Sequence, residues 1–128
     1  MARILLIDDD TLVRASLAAA LRHLGHAVTE AADGAEGLRA FRDQPAELVL
    51  TDIVMPEQDG LDVIRYLRSA APATRIIAMS GATVHTPVLY LRMAAQFGAD
   101  ATLAKPIELG VLRRTVDEVL GRSASGGA

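Results

Sequence analysis

The stretch RILLIDDD, residues 3–10, is an unbroken apolar run closed by Asp8, Asp9 and Asp10. A run with no polar alternation reads as a strand buried on both faces, the habit of a parallel sheet covered by helices on each side. Three further runs follow the same plan: ELVLTD at 47–52, RIIAMS at 75–80 and ATLAKP at 101–106. Each ends in a polar residue, namely Asp52, Ser80 and Lys105. In parallel strands all the carboxyl ends lie along one edge, where ligand sites of open α/β sheets form. Asp8, Asp9, Asp52, Ser80 and Lys105 are therefore expected to share one pocket.

Between the runs the apolar spacing turns helical. Thr11–Leu24 carries Leu12, Val13, Leu17, Ala20, Leu21 and Leu24 on one expected face, with Gly25 as a C-terminal stop. Ala27–Ala31 reads as a short strand, and Ala35–Asp43 as a helix with Leu38 and Phe41 inward, broken by Pro45. Leu61–Ser69 turns Leu61, Ile64 and Leu67 to one side and ends before Pro72. Thr86-Pro87 opens a helix that stops at Gly98, Asp100–Ala104 is the last strand, and Glu108–Leu120 the last helix. The expected fold is α/β, a doubly wound five-stranded parallel sheet with five helices. The domain spans 1–122, and 123–128 form a flexible tail.

Bulk properties narrow the function. At 128 residues the chain is one domain by length. It has no cysteine, so disulfides and thiolate metal sites are excluded. A net charge of -3 argues against a nucleic-acid face of its own. No apolar run reaches the roughly 20 residues of a membrane helix, and no secretory signal opens the chain, so a cytoplasmic domain with no membrane contact is expected. Among 13 basic residues Lys105 is the only lysine. Lysine is a compact point charge where arginine is a wide planar fork, which suggests a spot the fork does not fit.

The acids carry the chemistry. Two like charges about 4 Å apart repel by roughly 4 kcal/mol at an effective dielectric of 20. Three clustered carboxylates therefore call for a cation, and an all-oxygen set suits Mg²⁺ better than zinc. Adjacent Asp8 and Asp9 diverge on a regular strand, so they converge only if the strand ends there and the chain turns. Asp10 is expected to cap the following helix. The arginines on the helices read mostly as solvated faces. His23, His26 and His85 lack metal-ligand spacing. Gly34, Gly37 and Gly60 form no phosphate-cradling loop.

Taken together, the acidic pair after the first strand, the segment Asp52-Ile53-Val54-Met55-Pro56-Glu57-Gln58-Asp59-Gly60, Ser80 and Lys105-Pro106 resemble the receiver domain of two-component response regulators over about residues 3 to 120. The resemblance implies a flavodoxin-like sheet of strand order 2-1-3-4-5. It implies Asp52 as phosphoacceptor, with Asp8, Asp9, Asp52 and the Val54 backbone carbonyl as ligands of Mg²⁺. Lys105 and Ser80 would engage the phosphoryl group, and Ser80, Gly81, Ala82 and Thr102 would form the switch region. The implied donor is a phosphohistidine on a sensor histidine kinase or a histidine phosphotransfer protein. Output by contact with a downstream protein is expected through the fourth helix, fifth strand and fifth helix, with Leu89, Arg92, Met93, Arg113 and Arg114 as candidates. No output segment follows residue 120, so either a stand-alone receiver or a part of a longer regulator is expected. Thr102 stands where the family usually has an aromatic, and Glu108 where the last helix often has a short capping residue.

Two other readings compete. A small haloacid-dehalogenase-type phosphohydrolase would use Asp8 as nucleophile, but its Asp-x-Asp-x-Thr or -Val pattern meets Leu12, and it gives Asp52 and Asp59-Gly60 no role. A receiver-like module that is never phosphorylated is the third, though every acid, hydroxyl and lysine position is filled.

Overall fold

The computed structural model describes residues 1–53, 60–81 and 87–127. Strands and helices alternate: β1 (Arg3–Ile7), α1 (Thr11–His23), β2 (Ala27–Ala31), α2 (Gly34–Asp43), β3 (Leu48–Asp52), α3 (Gly60–Ala70), β4 (Arg75–Ser80), α4 (Pro87–Phe97), β5 (Ala101–Ala104) and α5 (Leu109–Gly127). The strands form one parallel sheet in the order β2-β1-β3-β4-β5.

The continuous apolar runs fill two cores, because successive side chains of a strand point to opposite faces. Ile4, Leu6, Leu48, Leu50, Ile77 and Met79 pack with Leu17 and Leu21 of α1 and Leu112 and Val116 of α5. Leu5, Ile7, Val49 and Ile76 pack on the other side with Leu38 and Phe41 of α2, Ile64 and Leu67 of α3, and Ala94 of α4. Both faces of the sheet are thus covered, and its carboxyl edge is left for chemistry.

The caps fix where the helices begin and end. Asp10 accepts from the amides of Leu12 and Val13 at the start of α1, and Asp33 accepts from Glu36 at the start of α2. Gly25 takes a φ of 96° just past α1, a left-handed conformation that glycine adopts without strain. The apolar face of α1 is narrower than its sequence implies: Leu17, Ala18 and Leu21 are buried, whereas Leu12 is 82% exposed. At 3.6 residues per turn Leu12 falls roughly opposite Leu21, on the side of the helix turned away from the buried face. The C-terminal segment also differs from expectation. Helix α5 runs from Leu109 to Gly127, beyond the expected end of the last helix at Leu120. The segment holds no proline to stop it, and Ser and Ala are compatible with helix. Thr86, the expected cap of α4, lies outside the described residues.

Candidate phosphoryl and cation site

Asp8 follows β1, Asp52 ends β3, Ser80 ends β4 and Lys105 follows β5. Parallel register brings these tips together, with Ile7 beside Thr51, Asp52 beside Met79, and Ser80 beside Ala104. Carboxylate oxygens of Asp8, Asp9 and Asp52 lie within 4.8 Å of one another. Asp8 and Asp52 are buried, and Asp9 is exposed.

Lys105 enters this cluster from the opposite end of the chain. Its Nζ donates to Asp8 Oδ2 at 2.5 Å and to Asp52 Oδ2 at 3.2 Å. The Lys105–Pro106 peptide is cis, and the Lys105 amide donates to the Ser80 carbonyl at 2.7 Å. Burial opposes the charge of Lys105, but the hydrogen bond to Asp8 and the charges of Asp52 and Asp8 outweigh it, so the ammonium is held above the usual lysine range.

Among the described residues, three carboxylates meet one ammonium, a formal excess of two negative charges. The donors are all hard oxygens, with no histidine or cysteine among them. Such a set fits a hard divalent cation and not zinc.

The backbone of the acids is fixed from several sides. Asp8 Oδ1 accepts from the Asp10 amide at 2.9 Å, and the Asp8 carbonyl accepts from Arg14 at 2.8 Å. The Asp52 carbonyl accepts from the Thr51 hydroxyl at 2.9 Å. The Gly60 amide donates to the Ile53 carbonyl at 2.7 Å, which brings α3 so close that a Cβ on Gly60 would run into the Asp52 carbonyl. Arg14, Thr51 and Gly60 were not marked as site residues in the sequence. Their signals are ordinary ones, an arginine on a helix, a threonine in a strand and a glycine at a helix start.

Ser80 contrasts with the acids. It is fully buried, and its hydroxyl has no hydrogen-bond partner among the described residues. Thr102 lies on β5 opposite Ala78, partly buried, and Gly81 follows β4 at intermediate exposure. Val54 and Ala82 lie outside the described residues. Of the candidate output positions, Arg92, Arg113 and Arg114 are exposed, whereas Met93 packs partly into the core.

An open α/β domain with acids and a lysine at the carboxyl edge of its sheet defines a class of phosphate-handling proteins. The comparisons make the class specific. A family model described as the response regulator receiver domain matches residues 4–117. The chain is 32% identical to a probable chemotaxis protein CheY of Rhizobium etli, covering 93% of this chain and 92% of that one. It is 38% identical to the DNA-binding transcriptional regulator NtrC of Azospirillum brasilense, of which it spans only 24%. A response regulator receiver domain protein from Clostridium thermocellum superposes with a TM-score of 0.88 at 28% identity, over 97% of this chain and 98% of that one. The chain belongs to the response regulator receiver domain family. Neither the dehalogenase-type reading nor the unphosphorylated module is favoured by these matches. Among the described residues no helix is long and apolar enough to cross a membrane.

Proposed function

We propose that Asp52 accepts a phosphoryl group from a phosphohistidine donor and that the phosphorylated domain signals by contact with another protein. The observation that carries this reading is the meeting of three carboxylates within 4.8 Å with one lysine bridging two of them. An Asp52 oxygen forms the new bond to phosphorus as the phosphorus–nitrogen bond breaks. Its electron pair stays with the donor imidazole, which leaves neutral because its other ring nitrogen carries the proton. The product is an acyl phosphate.

Asp8, Asp9, Asp52 and the Val54 carbonyl would hold Mg²⁺, which when bound supplies positive charge against the phosphoryl oxygens. Phosphoryl transfer depends on such positioning and charge neutralisation more than on covalent help. Lys105 already donates to Asp52 and is poised to donate to an incoming phosphoryl oxygen. The Ser80 hydroxyl, without a partner among the described residues, would supply a second donor, and Ser80, Gly81, Ala82 and Thr102 would form the switch region that responds to it. A sensor histidine kinase or phosphotransfer protein in the cytoplasm would be the donor.

Incubation with acetyl phosphate and Mg²⁺ tests the site by intact mass. The gain of one phosphoryl group is expected in the wild type and absent in Asp52→Asn. Labelling that survives Asp52→Asn but is lost in Asp8→Asn returns the dehalogenase-type reading. Neither Val54 nor Ala82 has a side chain able to hydrogen-bond an attacking water. Slow self-hydrolysis follows, and Val54→Asn is expected to speed decay several-fold; an unchanged half-life rejects that account.

A further inference from the structure

Adjacent residues on a regular strand point to opposite faces, yet the carboxylates of Asp8 and Asp9 meet. Something must turn the peptide between them. The carbonyl of that peptide belongs to Asp8, and its partner is Arg14 Nη1 at 2.8 Å. Arg14 lies in α1 with its side chain 16% exposed, and its Nε donates to Glu30 of β2 at 3.3 Å. Glu30 is held in turn by Arg22 at 3.2 Å, and Arg22 also donates to the Val28 carbonyl at 3.0 Å. A relay of side chains thus ties the β1–α1 turn to the edge strand. The guanidinium fork suits this because it donates to Glu30 and the Asp8 carbonyl at the same time, which a single ammonium does less rigidly.

We propose that Arg14 is a positioning residue for the divalent-cation site: it fixes the Asp8–Asp9 peptide so that the Asp9 carboxylate turns toward Asp8 and Asp52. This rests on reading the acids as a cation site. Coulomb's law alone predicts the opposite consequence for its removal. Deleting a positive charge beside a dication tightens binding, whereas loss of an orienting partner weakens it, by tenfold or more for outer-shell groups at metal sites.

Calorimetric titration of the purified chain with Mg²⁺ separates the two. Saturable binding is expected in the wild type, roughly tenfold weaker binding in Arg14→Gln, and a smaller loss in Glu30→Gln. Arg14→Lys keeps the charge and removes the fork, so it also weakens binding, and it carries the test if Arg14→Gln does not fold. In an Asp9→Asn background the Arg14 substitution is expected to cost little more, because the side chain it orients is already altered. Unchanged or tighter binding in a folded Arg14 variant overturns the proposal. So does an equal further loss in the Asp9→Asn background, the mark of a general structural role. A wild-type chain that binds no Mg²⁺ overturns the cation-site reading itself, and the role of Arg14 with it.

Discussion

Two strand tips in this sheet are built in opposite ways. At the β1 tip, Asp8 has its carbonyl held by Arg14 and its two carboxylate oxygens held by the Asp10 amide and Lys105. At the β4 tip, Ser80 is as deeply buried, and its hydroxyl is unpartnered among the described residues. Satisfying a buried polar group rigidifies its surroundings, and leaving one unsatisfied costs stability. The β1 tip is finished before any ligand arrives, whereas the β4 tip keeps a donor in reserve. On the proposed reading, the acids would form the fixed half of the site and the hydroxyl the responsive half.

The largest effect tests the fixed half. Asp52→Asn is expected to abolish acyl-phosphate formation while leaving the fold intact, since asparagine preserves shape; intact mass and circular dichroism check both. Next comes Lys105→Met. It removes the ammonium that Asp8 and Asp52 share and strips that partner from two buried carboxylates, at a cost of about 3 kcal/mol in urea unfolding without metal. Mg²⁺ in the millimolar range is expected to stabilise Lys105→Met more than the wild type, because it restores the missing charge. Equal stabilisation of both proteins means that lysine and cation do not share the cluster.

Alkaline unfolding sharpens the same half. Lys105 is held above its ordinary range in the folded chain, so its contribution is complete below the unfolded value. The contribution is lost only as pH climbs through the folded value. Against Lys105→Met, the wild type therefore keeps its advantage up to the ordinary lysine range near 10.5 and surrenders it above. An advantage already lost between neutral pH and the ordinary lysine range contradicts this.

The sequence made the scaffold plain and its supports obscure. Strands such as Arg3–Ile7 and Leu48–Asp52 are visible because burial on two faces leaves their interiors, Ile4–Ile7 and Leu48–Leu50, wholly apolar. Each polar ending alone has an ordinary explanation as a turn residue; it is the convergence of Asp8, Asp52, Ser80 and Lys105 at one edge of the sheet that points to the expected site. Arg14 was hidden because a helical arginine is ordinarily solvated, and its bond to the Asp8 carbonyl depends on how α1 crosses β1. Leu12 misled in the other direction. It is apolar and lies in the helix, but at 3.6 residues per turn it falls roughly opposite Leu21, so it faces solvent. An apolar residue within a helix marks the buried face only when its angular position agrees with the others.

Gly60 bears through backbone on the β3 tip, which lies between these two in the sheet. A Cβ there meets the Asp52 carbonyl and the Ile53 Cα, and neither is the end of a flexible side chain that could swing away. Gly60→Ala is therefore expected to cost about 2 kcal/mol and to shift the strand end that carries Asp52. Equilibrium unfolding measures the first, and slower labelling of Asp52 reports the second. A neutral substitution shows that α3 slides freely against β3.

The smallest expected effect discriminates best between the halves. An unsatisfied buried hydroxyl costs roughly 1–3 kcal/mol, so Ser80→Ala is expected to stabilise the unphosphorylated chain by about 1 kcal/mol. For a domain of this size that is a rise of about 4 °C in Tm. The same substitution removes a donor from the incoming phosphoryl group and is expected to slow labelling by acetyl phosphate. Stability and reactivity then move in opposite directions at one atom. A substitution at the β1 tip behaves otherwise, because Asp8→Asn loosens the contact with Lys105 and lowers labelling together. If Ser80→Ala destabilises the chain instead, the hydroxyl is already satisfied in solution, and the two strand tips are alike.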